Sequence, residues 1–287
     1  MLKFYLPDFF YFFDLNMALI NLLKQNPEYF YDNIEIGAVY GTYPGAIWNG
    51  GRCFLGSTDM NCIINTTAAY NNLGIPIRHT FTNSVLRPEH VHDTYCNLIM
   101  RLTSNGKNEV LVNYDVLESY LREKYPNNNF ISSTTKCIQD VDSFNKELEL
   151  EYSLVVLDFR KNTDLDFISQ INDISRVELL INAYCSPDCQ KRKEHYAYLS
   201  DCQLNCKNAA EYCNILSRSF YDALKLSSVI KVQDLYSKYV DLGFRHFKIE
   251  GRTNHPVDVI DSYVYYMAQP EYVDVVRNIL LKSIWRF

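Results

Sequence analysis

Five of the nine cysteines fall within one stretch, NAYCSPDCQKRKEHYAYLSDCQLNCKNAAEYC, residues 182–213. Cys185 and Cys189 are spaced C-x3-C, Cys202 and Cys206 repeat that spacing, and Cys213 follows. Thiolates are soft ligands that suit zinc, copper(I) and iron–sulfur clusters, so the clustering marks a candidate metal site. The spacing departs from the C-x2-C of zinc ribbons. The bland alternative is a set of buried thiols, since free cysteine packs as a small hydrophobe. His195 lies inside the same stretch, as a ligand, a proton shuttle or a residue of a helix surface. Lys191, Arg192 and Lys193 form the nearest thing to a basic patch, and such a run usually reads as a solvated helix face.

A second set of chemically able residues follows the β-rich runs: Arg52, Asn83, Asn113, Arg160, Asn182, Lys248, Glu250 and Arg252. Arginines and amides converging on one mouth would orient a small polar or anionic molecule through charge-assisted and bidentate hydrogen bonds. Taken singly, each is also what a turn or a solvated loop contains. Gly50 and Gly51, just before Arg52, would let backbone N–H groups approach an anion, or simply make a turn. His79 reads as a core histidine. The chain has no Gly-x-Ser-x-Gly elbow, no His-Glu-x-x-His and no phosphate-binding Walker loop, which removes the usual sequence support for serine hydrolases, common zinc proteases and P-loop enzymes.

These residues need elements to bring them together. Strand-like runs at 2–6, 34–38, 76–81, 109–113, 129–132, 153–157, 177–181 and 245–249 alternate with helix-period runs. The helices are expected at 15–25, 57–72, 88–103, 114–124, 141–150, 165–172 and 192–201, with more reaching 242, then at 256–267 and 270–285. Asp14 and Ser57 stand where N-caps belong, Pro88 suits a first turn, and Gly74 and Gly243 suit helix stops. Strand-then-helix order implies parallel strands joined by crossovers. Eight such units predict an α/β fold, a single (β/α)8 TIM-type barrel over 1–287. The 183–242 region is then a cysteine-rich metal-binding insertion between the last two strands. An open doubly wound sheet is the alternative.

At 287 residues and 47% hydrophobic, the chain can bury a large core. Its net charge of −6 argues against nucleic acid as a partner. The apolar start is interrupted by Pro7, Asp8 and Asp14 and lacks a cleavage site, so neither membrane insertion nor export is expected. A cytoplasmic location follows, with reduced thiols.

The segment Phe247-Lys248-Ile249-Glu250-Gly251-Arg252, with Cys185, Cys189 and Cys206 ahead of it, resembles the KIEGR signature of the U32 peptidase family. That collagenase-like group includes tRNA, rRNA and ubiquinone hydroxylation factors. Only the last third of the chain carries the motif. The resemblance implies a barrel enzyme with a [4Fe-4S] cluster held by Cys185, Cys189 and Cys206, completed by Cys202, Cys213 or a distant thiol such as Cys137. Its reaction would be an oxygen-independent hydroxylation or related redox step. Arg52, Arg160 and Arg252 would hold anionic groups, Glu250 would serve as acid or base, and Asn83, Asn113 and Asn182 would orient substrate. Two alternatives are a metal-dependent peptidase or amidohydrolase using zinc, and a non-catalytic binding or assembly subunit. The latter would pair as a homo- or heterodimer with a relative, and the 23 tyrosines suit such an interface.

Overall fold

The computed structural model describes residues 1–209 and 219–284; Cys213 and Trp285 lie outside them. Eight parallel strands close into a barrel in sequence order: β1 Leu2–Pro7, β2 Ile34–Gly41, β3 Ile77–Phe81, β4 Glu109–Val112, β5 Asn129–Ser132, β6 Leu154–Val156, β7 Val177–Leu180 and β8 His246–Lys248. Closure comes from β8 lying beside β1, with Lys3 opposite His246 and Tyr5 opposite Lys248. The (β/α)8 fold is therefore present and the open sheet is excluded. Among the described residues no helix is long and apolar enough to cross a membrane.

The period of two along each strand separates two cores. Phe4, Leu6, Val39, Ile77, Phe81, Val110, Val112, Val155, Leu179 and Phe247 face outward into the layer shared with the helices. Tyr5, Ala38, Tyr40, Leu111, Ile131, Leu154 and Val156 form a smaller apolar cluster of their own. Alternating with the outward residues, Arg78, Glu178 and Lys248 put charges in the interior as well. His79 belongs to the outer layer, where its Nε2 meets Thr103 Oγ1 at 2.8 Å and its ring stacks on Phe81. Burial pushes its pKa down to about 3, so it stays neutral.

The helices are α1 Phe13–Gln25, α2 Met60–Asn72, α3 Thr94–Thr103, α4 Asp115–Lys124, α5 Val141–Glu149, α6 Leu165–Ser169, α7 Arg192–Leu204, α8 Phe220–Ala223, α9 Val232–Asp234, α10 Pro256–Met267 and α11 Val273–Ile284. Two expected caps are corrected. α1 begins one residue before Asp14, which sits in its first turn, where a carboxylate still suits the positive helix end. α2 is capped by Asp59, whose side chain accepts from Cys62 N; Ser57 lies two residues too early to reach that N–H. Pro88 does open a helical turn, Pro88–His92, but Asp93 then interrupts the run and caps α3. Gly74 and Gly243 follow helical segments with φ of +77° and +106°, the left-handed region that costs glycine little.

Candidate functional site at the barrel mouth

The charged residues of the interior form a ladder that climbs to the carboxyl ends of the strands. Arg78 Nε binds Glu109 Oε2 at 2.6 Å, and its Nη1 binds Glu178 Oε2 at 2.6 Å. The other oxygen of Glu178 lies 3.4 Å from Lys248 Nζ. Arg78 and Glu178 are fully buried. Opposite charge on both sides holds Glu178 ionised despite its burial. Lys248 is the top rung, and its Nζ also sits 4.2 Å from the centre of the Tyr40 ring.

Above that rung lies a cavity of about 60 Å³, lined by Tyr40, Gly51, Arg52, Thr80, Thr82, Ser133, Thr134, Thr135, Arg192, Tyr196, Lys248, Glu250 and Arg252, with Leu111 and Leu180 as its apolar floor. Arg252 is 8% exposed and hydrogen-bonds only to neutral groups: Asn49 Oδ1 at 3.0 Å, Thr80 Oγ1 at 2.7 Å and the Gly50 carbonyl at 3.0 Å. Burial foremost, and the charge of Arg52, work against its own charge. Arg192 is 6% exposed, packs over the rings of Phe159 and Tyr196, and leaves its Nε without a hydrogen-bond partner. Arg52, by contrast, is ion-paired to Glu250 Oε1. Lys248 feels burial first and Arg78 and Arg252 next, which together lower its pKa to about 8 against the pull of Glu178.

The loop after β2 makes this packing possible. Gly50 lies so close to the Thr82 carbonyl that no side chain fits there, and Gly51 has a φ of +74°. The Gly50 N–H is taken by Thr80 O and its carbonyl by Arg252, so this glycine frames the cavity rather than offering an N–H to an anion. α7 roofs the cavity with Arg192 and Tyr196. It is pinned from above by Gln203, which donates to Ala46 O and Phe54 O and accepts from Phe54 N. Asn83 adds a bond from its Nδ2 to Ser200 O.

Of the residues singled out in the sequence, Arg52, Lys248, Glu250 and Arg252 line the cavity. Asn182 stands behind it, accepting from Glu250 N and donating to Glu250 O, which fixes the backbone of that acid. Asn83 is spent on holding loops and α7. Arg160 is clamped by both oxygens of Asp158 and donates to Cys189 O. Neither Arg160 nor Asn113 is on the cavity wall. Arg192 corrects the expectation of a solvated face for the basic run: it is buried, because α7 turns it down onto Phe159 and into the mouth. His195, the neighbour of Arg52 and Arg192, has its pKa pushed down to about 4, by burial first and then by their charge.

The expected metal ligands fall into two sets. Cys185 and Cys189 interact with each other; burial, above all, pushes Cys185 up to about 11. Cys202 and Cys206 belong with Cys53, whose thiol they and its burial raise. Cys202 is buried in α7 and Cys206 is exposed. Among the described residues no three His, Cys, Asp or Glu side chains are placed to hold one metal ion. Cys213, the fifth cysteine of the stretch, lies outside the described residues.

No family model and no curated protein matches the sequence. Among solved structures, that of the U32 peptidase Mk0906 matches with a TM-score of 0.54 and 12% identity, over 88% of this chain and 94% of that one. The likeness runs through nearly the whole of both chains and is one of architecture: this chain has the fold of a U32 peptidase, in keeping with the resemblance carried by residues 247–252.

Proposed function

We propose that the chain is an enzyme that takes a small anionic substrate into the barrel mouth. The observation that carries this reading is the pair Arg192 and Arg252, two guanidiniums more than nine-tenths buried on one cavity wall, neither ion-paired with a described residue. Buried cations whose acids act only from a distance, Asp8 on Arg252 and Asp158 and Glu250 on Arg192, leave room for a closer anion, and an incoming carboxylate or phosphate offsets their burial. A guanidinium fork also fits those groups bidentately. Thr82, Ser133 and Thr135 line the same wall, the hydroxyls of the last two bonded to each other at 2.9 Å. The volume has room for about four waters, which suits a compact anionic group. Glu250, held by Arg52, is the acid–base group nearest to hand.

The fold leaves the reaction open, because barrels of this kind host many chemistries. Oxygen-independent hydroxylation at an iron–sulfur centre has as its support the KIEGR-like segment and the five clustered cysteines. A cluster, when bound, supplies electrons; the residues of the mouth would hold the anionic substrate beside it. Peptide hydrolysis rests on the name of the structural neighbour.

The test is thermal unfolding in a panel of small ligands. Oxalate, phosphate and short dicarboxylates are expected to raise the melting temperature in a saturable way, while neutral amides and dipeptides leave it unchanged. Equal effects from neutral and anionic ligands would overturn the reading.

A further inference from the structure

We infer that Lys248 is a nucleophile, and that the substrate class is a small anionic carbonyl compound, such as a 2-oxo acid, which condenses with its amine as a Schiff base. The inference deepens the anion-binding reading and rests on it for the anionic half of the substrate. Three features of the structure converge on it.

The first is position. Lys248 ends β8 at the carboxyl-terminal mouth, where parallel barrels assemble their active sites, and its side chain is part of the cavity wall. The second is the state of the amine. Nζ is buried on the face of Tyr40 with no short hydrogen bond among the described residues, and its ion-pair partner is Glu178 Oε1 at 3.4 Å. The two short bonds of the ladder go to Arg78, which leaves Lys248 the longer contact to Glu178. The groups that face the amine are Glu178 from β7, Arg78 from β3, Tyr40 from β2 and Arg252 beyond β8. Two cations and burial outweigh one carboxylate, so the amine loses its proton near pH 8, far more readily than a solvated lysine. The third is the company it keeps. Arg252 and Arg192 line the same cavity with no direct ion pair among the described residues, their acids Asp8, Asp158 and Glu250 acting from farther off, so a carboxylate seated on them brings an adjacent carbonyl carbon toward Nζ.

The step balances as follows. Lys248 gives its ammonium proton to solvent, and the neutral Nζ forms a C–N bond to the carbonyl carbon. The oxygen of the resulting carbinolamine takes one proton from nitrogen and a second from solvent, the C–O bond breaks, and water leaves. A protonated imine remains, with one hydrogen on nitrogen. That cation, buried above Glu178, draws electrons from the neighbouring carbon and so prepares it to lose a proton or a carbon substituent, with Glu250 on the same wall to move protons.

The experiment uses the full chain, glyoxylate as the smallest 2-oxo acid, acetaldehyde as its neutral counterpart and oxalate as an unreactive anion. After cyanoborohydride reduction, peptide mass mapping is expected to find the glyoxylate adduct on Lys248 at least about tenfold above any other lysine, because few other lysines are neutral below pH 9. Its rate rises with pH through about 8, and oxalate competes with it. Lys248→Met loses the adduct, and Arg252→Met loses it with glyoxylate while keeping it with acetaldehyde. Mapping in the unaltered chain decides the matter even where a variant fails to fold. Labelling spread evenly over the lysines, or none on Lys248 with either carbonyl, would overturn the nucleophile. If oxalate still raises the melting temperature in that case, the anion site stands and the amine alone is wrong. If acetaldehyde labels Lys248 while oxalate neither binds nor competes, the amine stands and the anionic substrate is wrong.

Discussion

Glu178 carries two cations on one carboxylate in the middle of the barrel; it and Arg78 are fully buried, and Lys248 is nearly so. In low dielectric such charges are tolerable only as a set, so removing one member costs more than the set contributes. Glu178→Gln is expected to destabilise the chain by about 3 kcal/mol or more, read from urea unfolding, and a loss under about 1 kcal/mol would mean that the ladder is solvated. The sequence contained most of this scale but not its pairings. Lys248, Glu250, Arg252 and Arg52 were legible as strand-end polar residues. Arg192 was not, since a Lys-Arg-Lys run at a helix start carries no local sign that its middle member turns inward. Tyr40 and Tyr196, also on the cavity wall, are lost among so many tyrosines. Asn83 and Asn182 were visible as polar residues at strand ends, but only the folded chain shows them spent on backbone groups.

At the scale of elements, the mouth is a joint product of β8, α7 and the loop after β2, and what ties α7 to that loop is Gln203. Its side chain satisfies Phe54 N, Phe54 O and Ala46 O, three backbone groups that have no water to turn to. Gln203→Ala is expected to cost about 2 kcal/mol and to loosen α7 before the barrel. Hydrogen exchange would then quicken over residues 192–204 while the strands stay protected; uniform quickening would show that α7 has no separate opening. Strands were the most legible elements because parallel barrel strands are nearly continuous apolar runs between turn signals. Helix starts were less so. Asp59 and Asp93 each cap a helix inside what looked like a longer run, and Ser57, Thr58 and Asp59 all offer cap chemistry within three residues before α2. The fate of the cysteines was hidden too, because spacing along the chain says nothing of which thiols face one another. Cys53, far back in the sequence, shares the surroundings of Cys202 and Cys206.

For the whole molecule, an acidic chain of net charge −6 sets two buried arginines, neither ion-paired among the described residues, on the wall of one small cavity. That contrast is what a focused anion site requires: the average surface repels anions while the mouth draws them in. The fold was legible from the count of strand–helix pairs, whereas the sign of the mouth depends on which charges find partners, a property of the closed barrel. The decisive measurement is calorimetric binding of oxalate to the unaltered chain and to Arg192→Met and Arg252→Met. The account predicts one site that weakens with added salt, and at least a tenfold loss of affinity in each variant, about 1.4 kcal/mol. Unchanged affinity in both variants would contradict it, as would binding that ignores salt.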